Sequence, residues 1–174
     1  MKVIAVVPAR FASTRFPGKM LAELGGLPLI VRTARQAATA STIDQVLVAT
    51  DHESIREAVE KAGIEVCMTR ADHPSGTDRI AEAVQHREAD VVVNVQGDEP
   101  FTDKESLEKL IDVFYQNDAE QIDLASLKTK LVGQEDIHNP NYVKVITDQN
   151  GFALYFSRSP VPYHRNKSID VQYY

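Results

Sequence analysis

Three cationic side chains lie close together on one loop near the start of the chain. Arg10, Arg15 and Lys19 fall within residues 8–19, directly behind the apolar, β-branched run at residues 2–7. A bounded apolar run predicts a strand buried on both faces, as in parallel sheets, whose ligands lie at the carboxyl ends of the strands. Cationic groups gathered there indicate a bound polyanion, most simply a triphosphate. An ordinary solvated basic loop is the alternative, because neither the G-x-x-x-x-G-K-[ST] nor the G-x-G-x-x-G pattern is present.

A carboxylate follows another buried strand. Asp98 comes after the apolar run at residues 90–96, across Gly97, which lets the backbone turn closely. A carboxylate at the carboxyl edge of a sheet, beside a polyphosphate loop, is a candidate Mg²⁺ ligand, since Mg²⁺ commonly binds one or two carboxylates together with substrate phosphates. The adjacent Glu99 points the other way in an extended segment. The alternative is that Asp98 caps a turn or the next helix.

A second loop of small residues could meet a ligand. Residues 75–79 read Ser-Gly-Thr-Asp-Arg and enter a predicted helix. Free backbone N–H groups and hydroxyls at such a point can bind an anion or the edge of a base. From the residues alone, however, ordinary helix capping is the favoured interpretation.

The other reactive side chains give weaker signals. Cys67 is the one cysteine and lies in a predicted strand, which favours a buried structural thiol over a nucleophile and excludes an internal disulfide. The histidines are not spaced as metal ligands on a helix, and no G-x-S-x-G motif is present. Arg158 follows the last predicted strand, where it could meet an acidic sugar or form a surface salt bridge equally well.

Composition is that of a globular protein without a nucleic-acid partner. The 174 residues suit one domain with a real core, and the content is 43% hydrophobic and 25% charged. A net charge of −6 argues against broad nucleic-acid affinity, so any anion site must be local. No signal peptide is visible and no window approaches the roughly 20 apolar residues of a membrane span. We therefore expect a cytosolic protein with no membrane partner.

Predicted strands and helices alternate along most of the chain. Strands are expected at residues 2–7, 45–50, 64–68, 90–96 and 124–130, and a hairpin at residues 143–147 and 152–157 around Asn150-Gly151. Helices are expected from Pro28 to about Ala38, from a cap at Asp51 to Gly63, from Thr77 or Asp78 to about His86, and from about Asp103 to Asn117. This order predicts an α/β fold with three layers: a mainly parallel sheet, helices on both faces, and antiparallel strands at one edge.

Taken together, the motifs resemble those of the 3-deoxy-manno-octulosonate (Kdo) cytidylyltransferases, or CMP-Kdo synthetases. They keep that family's order and span nearly the whole chain. The matching segments are Pro8-Ala9-Arg10, Ser13 to Lys19, Val48 to Asp51, Ser75 to Arg79, Val93 to Pro100, Asn139 to Asn141, Val143 to Val145 and Tyr155 to Arg158.

The resemblance implies a nucleotide-diphospho-sugar-transferase-like fold and a cytosolic nucleotidyltransferase. Its activity would transfer CMP from CTP to Kdo, with Mg²⁺ as cofactor, for lipopolysaccharide synthesis. By similarity, Arg10 and Lys19 bind the CTP phosphates and act in catalysis, with Ala9, Ser13 and Arg15 beside them.

The same resemblance assigns the remaining site residues. Ser75, Gly76 and Arg79 would lie around the cytosine and ribose, Gln96 between the nucleotide and the sugar, and Asp98 on Mg²⁺ as a catalytic residue. A homodimer is the family expectation for the full-length enzyme.

The chain departs from the family pattern in two residues and in length. Met20 stands where Pro usually follows Gly-Lys, and Leu27 replaces a frequent Lys before Pro28. Family members also continue well beyond this length, with sugar contacts, a second metal-binding Asp and much of the dimer interface. We therefore expect residues 1–174 to be a single nucleotidyltransferase domain that lacks its C-terminal sugar-binding and dimerisation part; residues 171–174 look like the start of a further strand.

Two other functions stay open on the sequence. One is sialic-acid cytidylyltransferase, whose first loop usually reads Ala-Arg-Gly-Gly-Ser-Lys, whereas Phe11-Ala12-Ser13 here favours Kdo. The other is a nucleotide-binding domain without catalysis, which the shortened end would support. A dinucleotide-dependent dehydrogenase fits the alternation of elements but lacks the glycine fingerprint.

Overall fold

The structure is a computed structural model that describes residues 1–12, 16–116, 122–131 and 133–163. The chain divides into two units, Met1–Ala125 and Ser126–Tyr174. Ser13, Arg15 and residues 171–174, on which predictions were made, lie outside the described residues. The expectation of one domain lacking a C-terminal part stays a prediction.

The first unit is built around a parallel sheet of four strands. Its elements are β1 (Val3–Ala9), β2 (Glu23–Leu24), β3 (Leu27–Pro28), α1 (Leu29–Ala37), β4 (Gln45–Thr50), α2 (Glu53–Lys61), β5 (Glu65–Met68), α3 (Gly76–Val84), β6 (Val91–Asn94) and α4 (Lys104–Asp112). One-turn 3₁₀ helices lie at Lys19–Leu21 and Val113–Tyr115. The strands of the parallel sheet run in the order β5-β4-β1-β6, and β2 pairs with β3 in a short antiparallel hairpin.

Strand β1 is buried on both faces because helices cover both sides of the sheet. Residues 3–7 are 0% exposed. Side chains alternate along a strand, so Val3, Ala5 and Val7 pack on the apolar faces of α1, α2 and α4, while Ile4 and Val6 pack on α3. The sheet therefore lies between two helical layers, and the predicted three-layer α/β class with a mainly parallel sheet is confirmed.

One predicted strand is wrong. Residues 124–130 are not a strand, and Leu124 and Leu127 are 89% and 49% exposed. The preference of β-forming residues for strands depends on a half-buried surface against which they can pack, and this segment buries no such face.

Two helix boundaries also differ from the sequence analysis. The helix predicted to reach Asn117 ends as α4 at Asp112 and continues only as a 3₁₀ turn, a common tightening at helix ends. Helix α2 is not capped by Asp51. Its cap is His52, whose Nδ1 accepts a hydrogen bond of 3.3 Å from the backbone N–H of Ser54.

The second unit contains α5 (Gln134–His138), β7 (Lys144–Thr147) and β8 (Ala153–Ser157). The predicted hairpin is confirmed: β7 and β8 pair antiparallel, and Gly151 at their turn has φ +90°. These antiparallel strands form a two-stranded sheet of their own rather than an edge of the parallel sheet, because the short turn pairs them locally. Lys144 is 1% exposed and donates to the carbonyls of Asn139, Tyr142 and Arg158 at 2.8–3.0 Å.

Within the described ranges, every helix is too short or too polar to cross a bilayer.

Candidate active site at the carboxyl edge of the sheet

The loops after β1 and β6 meet at an ion pair. Lys19 begins the 3₁₀ turn that closes the first loop, and Asp98 lies in the loop after β6. The Nζ of Lys19 is 2.8 Å from Oδ2 of Asp98, and the two side chains are 38% and 47% exposed. Since β1 and β6 are parallel neighbours, their carboxyl ends face the same edge, and the predicted cation and carboxylate converge there.

Gly97 allows this convergence by its lack of a side chain. A Cβ at Gly97 would lie 2.9 Å from the carbonyl oxygen of Pro8 and 3.1 Å from Sδ of Met20. The backbone N–H of Val95 donates to Val6 at 3.1 Å, so the pairing of β6 with β1 continues up to this point. The loop of Asp98 thus crosses the end of β1 in direct backbone contact.

The first loop is held by an aromatic side chain. Phe11 stacks on His52, with ring centroids 3.9 Å apart and planes 12° from parallel. The carbonyl of Phe11 accepts from the N–H of Gly18 at 3.2 Å, which ties both ends of the loop together. The stacking of these two rings was not predicted from the sequence, although an aromatic side chain within a loop of small and cationic residues was the available signal.

Arg10 directly follows β1 and is exposed. Within the part of the chain that the structure describes, its guanidinium has no hydrogen bond or ion pair, so its donors are available to a ligand. Ala9 is the last residue of β1 and is 1% exposed. The edge therefore presents one cation paired with Asp98 and another that is solvated.

The second predicted loop reaches the same edge through Gly76. A Cβ at Gly76 would lie 3.4 Å from Cγ of Pro8, so the first turn of α3 lies beside the end of β1. Ser75 caps this helix, and its Oγ accepts from the N–H of Asp78 at 3.2 Å. Capping, the alternative weighed for this loop, is what the Ser75 hydroxyl does in the structure.

Arg79 is held by protein groups instead of facing solvent. Its side chain is 4% exposed, and its guanidinium pairs with Oδ2 of Asp51 at 3.1 Å and also donates to the hydroxyl of Thr69. Thr69 in turn donates to the carbonyl of Thr50 at 3.1 Å. Arg79 thus joins α3 to the ends of β4 and β5. Asp51, expected as a helix cap, is used for this contact.

Gln96 lies at the edge, immediately before Gly97. Its side chain is exposed, and Nε2 donates to Oδ1 of Asn94 at 2.9 Å. Its carbonyl accepts from the N–H of Glu99 at 3.0 Å, which closes a turn around Asp98.

Asp98 is the carboxylate at this edge that could hold a metal ion. No group of three or more His, Cys, Asp or Glu side chains in the described ranges could hold one by itself. A divalent ion at Asp98 would therefore take further ligands from a bound nucleotide and water, which is how Mg²⁺ commonly binds. In the structure this carboxylate is paired with the ammonium of Lys19, 2.8 Å away.

A separate cleft of about 610 Å³ lies on the outer side of α3. His73 is hydrogen-bonded to Glu82 there, and this bond is the main reason why the pKa of Glu82 is below its ordinary value. The lining residues are Arg70, His73, Pro74, Asp78, Ala81, Glu82 and Gln85. Most of these charged groups are already paired with one another, so the cleft gives no clear sign of a ligand.

The chain is similar to known proteins along nearly its whole length. A profile of the family described as cytidylyltransferase matches residues 4–174. A 3-deoxy-manno-octulosonate cytidylyltransferase of Christiangramia forsetii is 50% identical over 173 residues, covering 99% of this chain and 70% of the relative. One of the same name from Flavobacterium johnsoniae is 49% identical over 174 residues, covering 100% of this chain and 71% of the relative.

A solved structure extends the similarity to three dimensions. CMP:2-keto-3-deoxy-manno-octonic acid synthetase complexed with CTP superposes with a TM-score of 0.89 at 36% identity, covering 99% of this chain and 70% of that one. The chain thus belongs to the 3-deoxy-manno-octulosonate cytidylyltransferase family.

Proposed function

We propose that this chain transfers CMP from CTP to Kdo, giving CMP-Kdo and pyrophosphate. The observation that carries the proposal is the meeting of Lys19 and Asp98, with 2.8 Å between Nζ and Oδ2, at the carboxyl edge of a parallel sheet. Open α/β sheets bind ligands at this edge, and the relatives named above supply the identity of the nucleotide and the acceptor.

The reaction needs charge neutralisation and alignment more than covalent help. The anomeric hydroxyl of Kdo attacks the α-phosphorus of CTP, a new P–O bond forms, and the bond to the β-phosphate breaks. Pyrophosphate leaves, and the hydroxyl proton passes to solvent. Each reacting group must be held in line, which a site built at the ends of several rigid strands can do.

Two cations of the first loop are proposed to bind the triphosphate. Arg10 has unused donors, and a guanidinium binds phosphate oxygens in a forked arrangement. Lys19 offers a compact ammonium beside Asp98. Ser13 and Arg15 are proposed to add contacts on the same loop, on the basis of the family resemblance.

Asp98 is proposed to hold Mg²⁺ together with the phosphates of CTP. The bound ion would supply neutralisation of the phosphate charge in the transition state. What this chain contributes is the position of the carboxylate: Gly97 brings it over the end of β1, and the turn closed by Gln96 and Glu99 surrounds it.

The base and the sugar are proposed to lie on either side of this centre. Gly76 and the capped turn at Ser75 stand beside Pro8, which supports a place for cytosine or ribose next to the first loop. Gln96 is exposed at the edge and supports a place between nucleotide and sugar. Ala9 would contribute backbone groups only. Arg79 is proposed to stabilise α3 behind this loop without contacting the nucleotide, since its side chain is buried against Asp51.

The cellular setting rests on the family resemblance. We propose that the enzyme acts in the cytoplasm, where it would supply lipopolysaccharide synthesis, and that the full-length enzyme is a homodimer. Gel filtration with light scattering of the full-length enzyme tests the homodimer directly, and a monomer at working concentration would contradict it.

The deciding experiment is pyrophosphate release by the purified chain with CTP and one of three acceptors. Release with Kdo, but not with sialic acid or with no acceptor, is expected. Release with sialic acid alone would favour a sialic-acid cytidylyltransferase. Binding of CTP without release in any mixture would indicate a nucleotide-binding domain without catalysis.

A further inference from the structure

Helix α1 touches both ends of the loop that bears Asp98. The Oγ1 of Thr33 is 2.9 Å from the carbonyl oxygen of Gly97, and Nε2 of Gln36 donates to the carbonyl of Thr102 at 2.9 Å. These two side chains are three positions apart and so project from the same face of the helix. One face of α1 therefore forms hydrogen bonds to the backbone of residues 97–102 at both ends of that segment.

Thr33 does more than fill space in the core, because its hydroxyl also bonds the backbone of Gly97. Thr33 is 0% exposed among apolar neighbours, and Gly97 is buried as well. A threonine in a helix commonly bonds the carbonyl four residues earlier, and Leu29 is within 3.1 Å here. The shorter distance, however, is to Gly97. Without the hydroxyl, the buried carbonyl of Gly97 would lose its side-chain donor.

The peptide held by Thr33 is the one that directly precedes Asp98. Its other side lies against β1, since a Cβ at Gly97 would be 2.9 Å from the carbonyl of Pro8. The backbone at Gly97 is thus fixed between α1 and β1. A shift of this peptide would move the carboxylate of Asp98 and its ion pair with Lys19.

We propose that Thr33 and Gln36 are positioning residues for Asp98. They act through the backbone of residues 97–102 and set where the carboxylate meets a metal–nucleotide complex. This inference rests on the proposed function of Asp98. Residues behind a metal ligand typically change metal affinity or activity by about 10–100-fold when they are mutated.

The test compares Thr33→Val, Thr33→Ser and Thr39→Val in the 174-residue chain. Valine keeps the shape of threonine but removes the hydroxyl, while serine restores it. Thr39 on the same stretch of chain is the control, because its hydroxyl donates to the backbone carbonyl of Gln36 at 2.7 Å and makes no hydrogen bond to the described residues 97–102. Thermal unfolding is recorded for each variant.

The first readout is Mn²⁺ binding in the presence of CTP and without Kdo, followed by the electron paramagnetic resonance of free Mn²⁺. We expect Thr33→Val to weaken binding by about 10-fold. Thr33→Ser and Thr39→Val should stay within about twofold of the wild type, because both keep the contact with Gly97. The second readout is the Mg²⁺ concentration for half-maximal pyrophosphate release, which should rise in the same variant.

The outcomes separate the possible failures. Unchanged Mn²⁺ affinity in Thr33→Val overturns the inference for Thr33, whether or not the unfolding temperature falls, and would leave Thr33 a structural residue. If Thr33→Val fails to fold, Gln36→Ala, whose side chain is half-buried, decides the matter by the same two readouts. Wild-type protein that binds Mn²⁺ and CTP but releases no pyrophosphate contradicts the proposed function alone. Wild-type protein without Mn²⁺ binding overturns both.

Discussion

Lys19 and Asp98 are 79 positions apart in the chain, yet Nζ and Oδ2 lie 2.8 Å apart. Their meeting follows from the parallel pairing of β1 with β6, which brings the loops behind both strands to one edge. The pair is partly exposed, so its own contribution to folding is small, about 0–1 kcal/mol. Substitution of either residue should therefore change the free energy of unfolding little, so that an effect on activity can be measured on folded protein.

Asp98→Asn should remove most of the activity while the protein stays folded. The substitution keeps the size of the side chain but removes the negative charge that is proposed to hold Mg²⁺. Loss of one preorganised charge contact costs roughly 10²–10³-fold in rate in other enzymes. Pyrophosphate release at saturating CTP and Kdo measures the loss, with circular dichroism as the folding control. Near-normal turnover by folded Asp98→Asn would disprove the metal assignment.

Lys19→Ala should reduce kcat by a similar factor, roughly 10²–10³-fold, because the ammonium that is proposed to bind the triphosphate is lost. Lys19→Arg is the matched control. It keeps the charge but replaces a compact ammonium with a planar fork, so partial activity is expected. A Lys19→Ala enzyme with unchanged kcat and a raised KM for CTP would instead mean that Lys19 binds substrate and transition state equally.

Gly97→Ala should be destabilising because the new Cβ meets backbone. It would lie 2.9 Å from the carbonyl of Pro8, and neither of these strand-end segments can move freely. Overpacking of this kind costs about 1–3 kcal/mol in the free energy of unfolding. Urea unfolding measures it. Gly76→Ala is the control, since its Cβ would make only an ordinary 3.4 Å contact with the side chain of Pro8. Equal effects of the two substitutions would count against the close approach.

The sequence predicted those parts of the fold that depend on local pattern. Residues 45–50 form β4 at the predicted boundaries, because an apolar β-branched run between helices is buried wherever it falls in a parallel sheet. Residues 124–130 carry a similar preference but no buried face, and they form no strand. The residue types of a segment do not determine whether the rest of the fold offers a surface against which that segment can pack.

The candidate site residues that follow strands could be predicted from the sequence, but the long-range contacts between side chains could not. Arg10, Lys19 and Asp98 follow apolar runs, so the edge they share could be expected. Arg79 and Asp51 are 28 positions apart, and only the folded chain reveals that they pair. Thr33 could not be singled out in the same way, because a hydroxyl on an apolar helix face has no visible partner in the sequence.

Arg79→Met should destabilise the protein much more than it changes substrate binding. The side chain of Arg79 is 4% exposed, and loss of its guanidinium would leave the largely buried carboxylate of Asp51 without its partner. Breaking a buried pair costs about 3–5 kcal/mol. Arg79→Lys should not restore stability, because an ammonium lacks the planar fork of donors with which the guanidinium binds both Asp51 and Thr69. Urea unfolding gives the free energy, and KM for CTP, measured well below the unfolding midpoint, should stay close to that of the wild type. A large rise in KM without destabilisation would instead place Arg79 in direct contact with the nucleotide.

Acid should remove the contribution of the ion pair between Glu65 and Arg87. The hydrogen bond from Arg87, at 2.6 Å, is the main cause that lowers the pKa of Glu65 from its ordinary value, and desolvation opposes it. A carboxyl whose pKa is lowered by folding stabilises the native state above its unfolded pKa, about 4.3, and the contribution disappears as the pH falls through the lower folded value.

Glu65→Gln should therefore cost up to about 1 kcal/mol at pH 7, since both side chains are partly exposed. The difference from the wild type should be smaller at pH 3, below the ordinary pKa of a glutamate, than at pH 7. Urea unfolding at the two pH values measures it, and Glu57→Gln is the control, because Glu57 is exposed and forms no ion pair in the described part of the chain. A difference for Glu65→Gln that is as large at pH 3 as at pH 7 would mean that packing of the side chain, and not its charge, stabilises β5.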